Sequence, residues 1–417
     1  MHRSDSGSRR SLGPPEGELV SIDGVADRVE TILRAAPIVD GHNDLPWAAR
    51  VTCGYDLARL NLRDTAGATH TDLTRLRAGR VGAQFWSVYV PASLSGQDAL
   101  AATLEQIDFV RQMAAAYPAD LALAFGADDV AAARERGRIA CLMGAEGGHS
   151  IACSLGALRM LYALGVRYLT LTHNDNVPWA DSATDAPAAH GLTSFGREVV
   201  REMNRLGMLV DLSHVSPETM RDALDVSEAP VIFSHSSCRA LVDHPRNVPD
   251  AVLARLPGNG GVCMVTFVSA FVSEQCREWG LELDAYVREQ GVDPADRAAA
   301  EEPAAEFLRR RPRPRATLAQ VADHVEHARE VAGVTGIGLG GDYDGCTDLP
   351  DGLTDVSCYP ALFAELVSRG WSEGDCELLA GGNVLRVLRR AERIGAELAA
   401  RRGPSLARYT ADGLPGH

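Results

Sequence analysis

The chain has 417 residues, 46% of them hydrophobic, and a formal net charge of −15 at pH 7. That is ample material for a large core, and the acidic balance disfavours nucleic acid and anionic membranes as partners. All 41 side chains of the lysine and arginine class are arginine, which excludes Schiff-base lysines, the P-loop lysine and any carboxylated-lysine metal bridge.

Residues 1–24 are polar and lack the apolar stretch of a secretion signal, so they read as a disordered leader. Residues 25–400 read as one domain. Its strand candidates, in order, are 37–44, 82–90, 139–146, 167–174, 208–214, 230–236, 261–267 and 336–342. Helical patterns separate them: Gly165 and Gly207 close two helices, and Ser216 with Pro217 opens a third. In 318–328, Leu318, Val321, Val325 and Ala328 share one helix face. Eight strands alternating with helices predict an α/β fold, a (β/α)8 TIM barrel. Residues 273–315 form a polar insertion between strands seven and eight. Its "RRRPRPR" follows an acidic stretch, which favours a solvated excursion over a nucleic-acid patch. Residues 401–417 read as an irregular tail. No run of eighteen apolar residues offers a membrane span. Nine dispersed cysteines without a C-x-x-C pair fit reduced thiols and a cytoplasmic location.

The strand ends carry the chemistry. "APIVDGHNDLPW" closes an apolar run on His42 and Asp44. Strand alternation points these two the same way, roughly 6–7 Å apart, within reach of one ion. Glu146, His173, His214, His235 and Asp342 end five further strands. In a barrel those ends converge on one mouth. Imidazole and carboxylate without cysteine suit zinc, with manganese or cobalt as substitutes. Five donors exceed one tetrahedral site. His42 and Asp44 fit one ion and His214 and His235 a second, with Glu146 bridging; such a pair shares a hydroxide of pKa near 7. "GIGLGG" resembles a dinucleotide loop but leads into "DYDG", not a helix. His324 and His327 of "HVEH" read as solvated, His70 and His190 as loop residues without a role. His149 reads as a structural or outer-shell residue.

The motifs "DGHNDLPW", "EGGHS", "LTHNDNVPWADS", "HGLTSFG", "VDLSHVS", "FSHSSCRAL", "HPRNVPD" and "GLGGDYDG" resemble, in order, those of the membrane (renal) dipeptidase family of zinc peptidases. The resemblance runs from about Ile38 to Arg390. It implies a (β/α)8 barrel, two zinc ions and dipeptide substrates, in bacterial relatives often an L-residue followed by a D-residue. By motif, His42, Asp44, Glu146, His214 and His235 match the zinc ligands, His173 a substrate-binding histidine, Arg246 a carboxylate-binding arginine and Asp342 the catalytic aspartate. The animal enzymes are secreted and lipid-anchored, whereas this sequence offers neither signal nor hydrophobic tail, so anchoring is not carried over. A homodimer is a further expectation, with dipeptides as the substrates.

In the expected mechanism a metal-bridged hydroxide attacks the peptide carbonyl. His173 bonds the oxyanion, Asp342 relays the proton to the departing amine, and Arg246 measures the substrate's C-terminus. The rival readings are another barrel metallohydrolase, such as an N-acyl amino acid deacylase or a phosphotriesterase, and a catalytically silent metal-binding protein. A neutral ester would leave Arg246 without a role.

Overall fold

The structure, a computed structural model, describes residues 22–294 and 296–410. The leader reading for residues 1–21 and the end of the tail, 411–417, lie outside them. Among the described residues, nine parallel strands run in chain order: β1 Ile38–Asn43, β2 Val81–Ser87, β3 Leu121–Leu123, β4 Ile139–Glu146, β5 Val166–Thr170, β6 Leu209–Asp211, β7 Val231–Phe233, β8 Val262–Val265 and β9 Ile337–Leu339. β1 pairs with both β2 and β9, and β2 pairs with β4, so the sheet closes on itself. The result is the expected (β/α)8 barrel of eight strands.

β3 is the strand the sequence does not announce. It lies beside the first half of β4 (Leu121 against Ile139, Leu123 against Cys141), while β5 takes the same edge of β4 from Met143 onward. Three residues are too few for a recognisable apolar run.

Alternation fixes what enters the barrel. On β4, Ile139, Cys141, Met143 and Ala145 join the cluster under the helices, while Ala140 and Leu142 join another with Phe85, Tyr168 and Ile232. Glu146 continues that second set. Above this apolar floor sits a polar layer in which Thr170 and Ser234 donate to the buried Asp211 carboxylate. The donors of the mouth stand on top.

The predicted caps are present: Gly165 and Gly207 adopt φ of 114° and 77°, and the Ser216 hydroxyl accepts from Thr219 N. The insertion between the last two strands is more ordered than a solvated excursion. Helices Glu274–Glu289 and Arg297–Arg310 form a hairpin, with Trp279 and Tyr286 each against Phe307 at 5.5 and 5.4 Å. In the described part of the tail, the Ser405 backbone accepts from Arg159 and donates to Glu202.

Candidate metal centre

His42 lies on β1 and Asp44 directly after it, at the residue preceding helix Leu45–Cys53. The Asp44 carboxylate does not cap that helix; it faces His42, Oδ2 to Nε2 at 3.1 Å. Glu146 ends β4, and its two oxygens point to different partners. Oε2 lies 3.4 Å from His42 Nε2 and accepts from Ser87 Oγ. Oε1 lies 3.0 Å from His214 Nε2, 3.4 Å from His235 Nε2 and 3.9 Å from His173 Nε2. The loops after β5, β6 and β7 supply those three histidines. Asp342 follows β9 and groups with His42 and Asp44, their ligand atoms within 4.8 Å of one another. All seven strand-end residues foreseen from the sequence therefore meet in one mouth, across 300 residues of chain.

The tautomers follow from the outer partners. Tyr168 OH donates to Gly41 O and so accepts from His42 Nδ1, at 2.9 Å. Ser234 Oγ donates to Asp211 and so accepts from His235 Nδ1, at 2.8 Å. Each ring thus turns a bare Nε2 lone pair into the site. His214 and His235 then oppose Nε2 to Nε2 at 3.0 Å, and Asp44 Oδ1 is buried without a partner. The His235 lone pair aimed at carboxylates, and a buried carboxylate oxygen with no donor, are groups that a cation between them would satisfy. The donor set fits one or more divalent ions.

The protonation tendencies of His214 and His235 agree with a ligand role. Burial, with the Arg246 charge, holds His214 well below the usual histidine range, and burial with the His42 charge does the same for His235. Both are neutral, as ligands must be. Burial would also lower His42 and raise Glu146. Tyr168, Glu146 and Asp44 instead hold His42 well above its range, and the imidazoles hold Glu146 well below its own. Burial, together with Asp44 and Glu146, pushes Asp342 well above the usual carboxylate range.

Arg246 is 3% exposed and crosses the Phe271 ring at 5.3 Å. Nη2 donates to His235 O at 3.4 Å, and Nη1 has no partner. Burial brings its pKa down to about 10, still a cation. On the other side Trp47, Tyr89, His173 and His214 form a chain of ring contacts at 5.1, 4.9 and 4.4 Å. Gly345 packs against two carboxylates of the mouth: a Cβ there would lie 2.3 Å from both Asp342 Oδ1 and Asp44 Oδ2.

Several minor assignments need correction. His324 is not solvated; it is 1% exposed and accepts from Cys238 N. His327 is half-buried against Asp250. His149 bonds Val90 O, the structural alternative foreseen for it. His70 is bonded to the loop after β9. Tyr168, Asp211, Ser234 and Ser87 escaped the sequence reading. Inward alternation on their strands was the only signal for them.

A parallel barrel whose mouth gathers buried imidazoles around a shared carboxylate defines a metal-dependent hydrolase. Residues 26–402 match the model of the membrane dipeptidase family, peptidase family M19. The chain belongs to that family, and with it to the metal-dependent dipeptide hydrolases. It is 44% identical to mouse Dipeptidase 3 over 369 residues, covering 87% of this chain and 66% of that protein. It is 42% identical to human Dipeptidase 3, covering 89% and 68%. The chain thus spans about two thirds of the length of these relatives. Among solved structures, the probable dipeptidase PvdM of Pseudomonas aeruginosa has a TM-score of 0.78 at 22% identity, covering 89% of this chain and 99% of that one. A metallopeptidase of Rhodobacter sphaeroides has a TM-score of 0.71 at 23% identity, covering 85% and 99%. Both share the fold.

Proposed function

We propose that this protein hydrolyses the peptide bond of dipeptides, L-Xaa-D-Xaa dipeptides included, with two zinc ions. One observation carries the reading: the Glu146 carboxylate divides its oxygens between His42 with Asp44 and His214 with His235. These five are the proposed ligands, Glu146 bridging. When bound, the ions polarise the scissile carbonyl and activate a water near neutral pH.

The chain's own groups do the rest. Arg246, with a free Nη1 in a buried setting, receives the substrate's C-terminal carboxylate. His173, beside Glu146 and against Tyr89, donates to the carbonyl oxygen as negative charge develops. Asp342, grouped with His42 and Asp44 in the mouth, takes the proton from the attacking water and passes it to the departing amine. The Rhodobacter sphaeroides protein was crystallised with a phosphinate mimic of L-Ala-D-Ala, which motivates the stereochemical part of the proposal. Nine cysteines, none in a disulfide, support action in a reducing compartment, the cytoplasm. No helix among the described residues is long and apolar enough to cross a membrane.

Elemental analysis of purified protein and turnover of a library of L-L, L-D and D-L dipeptides test the proposal. Two zinc ions per chain and dipeptide cleavage that chelation abolishes reversibly are expected. Turnover of acyl amino acids or phosphotriesters in preference to dipeptides would replace it with a rival reading.

A further inference from the structure

Asp342 stands on a turn that the local sequence does not favour. Asp342 and Asp344 both have positive φ, 59° and 66°, a region that residues with a Cβ enter at a cost. Such a turn persists only if its surroundings over-determine it. Asp342 N donates to His42 O, and Tyr343 O accepts from Asp44 N, so the turn is tied to β1 and the segment after it. A third tie comes from a loop remote in sequence. His70 N donates to Asp344 Oδ1 at 2.6 Å, and Asp344 N donates to His70 Nδ1 at 3.0 Å.

The two bonds are reciprocal, so each residue satisfies the other's backbone or ring. The next residue in the loop, Thr71, is fully buried and accepts from Asn43 Nδ2, and Asn43 lies between His42 and Asp44. His70 O accepts in turn from Val356 N. One short stretch, 70–71, therefore touches the two segments that carry Asp44 and Asp342. His70 is not among the grouped donors of the mouth; its partner is Asp344.

We infer that His70 and Asp344 are positioning residues: their reciprocal clasp holds the Asp342 turn in its left-handed conformation and so sets the Asp342 carboxylate against Asp44 and His42. The inference rests on the dipeptidase reading for the role of Asp342, but the clasp itself can be tested without turnover. His70 is partly exposed, so its replacement leaves the core intact.

The experiment compares His70→Ala and His70→Asn in the full chain with the metals bound. The Asn amide oxygen can take the place of His Nδ1 as acceptor for Asp344 N. His70→Ala should lower kcat about 10- to 100-fold, the cost of misplacing a catalytic group by about 1 Å, with KM and metal content unchanged. His70→Asn should recover most of that loss. Amide hydrogen exchange should rise over residues 340–346 in His70→Ala and return toward the parent in His70→Asn, with the barrel strands unchanged. Unaltered exchange over 340–346 would overturn the inference, as would a loss of kcat that follows a loss of metal. If the parent enzyme fails to cleave dipeptides, the functional reading falls, and the exchange measurement still decides the clasp.

Discussion

The two oxygens of Glu146 look out on unlike surroundings. On the Oε2 side stand His42 and two further carboxylates, Asp44 and Asp342. On the Oε1 side stand only imidazoles, those of His214, His235 and His173. A cation on the first side is held mainly by negative charge, and on the second mainly by nitrogen lone pairs whose rings burial keeps neutral. The outer support differs as well. His42 Nδ1 is held by Tyr168 and His235 Nδ1 by Ser234, whereas His214 Nδ1 is buried with no partner. An asymmetric centre has one end built for charge and proton traffic and another that anchors.

The largest test removes what joins the ends. Glu146→Gln should abolish turnover and lower the metal content on both sides, read by elemental analysis; two retained ions would end the bridging role. Asp342→Asn tests whether the charged side divides its labour. It should keep both ions while kcat falls by about 10²- to 10⁴-fold, the usual size of an acid–base contribution. Wild-type turnover would take the proton relay away from Asp342.

Arg246 stands behind the imidazole side, bonded to His235 O. Arg246→Met should reduce kcat/KM on a dipeptide by about 10- to 150-fold, the worth of one charge-assisted pair. The C-terminal amide of the same dipeptide, already a poor substrate, should lose little more. Equal losses on acid and amide would make Arg246 a support for its loop. The smallest effect is expected from the outer partners. Tyr168→Phe should weaken the ion on the His42 side, and Ser234→Ala the one on the His235 side, each by about tenfold in affinity. Competition with a chelator dye would read this. If both variants weaken the same ion, the division of ligands drawn here is wrong.

The barrel and the seven convergent residues were legible because buried strands are unbroken apolar runs, and an ionisable residue at the end of such a run stands out. Motif resemblance added Arg246, which composition alone would leave as a surface charge. What escaped depends on contacts between distant segments. Tyr168 reads as one more strand aromatic until His42, 126 residues away, is placed against its hydroxyl. His324 sits in a polar-looking "HVEH", yet the helix turns it toward the backbone of Cys238. β3 is recognisable only by the edge of β4 that it fills. The helical hairpin over 274–310 was hidden by its charge, since its small aromatic cluster is spread over both helices.

Gly345 carries no functional group, yet it limits how this site can vary through evolution. Because a Cβ there would meet two carboxylate oxygens at 2.3 Å, a single methyl group is enough to displace Asp44 or Asp342. A descendant chain could keep every histidine, aspartate, glutamate and arginine of the mouth and still be silent. Inventories that sort active from inactive copies by their chemically active residues alone would count such a chain as an enzyme. Position 345 belongs in that inventory.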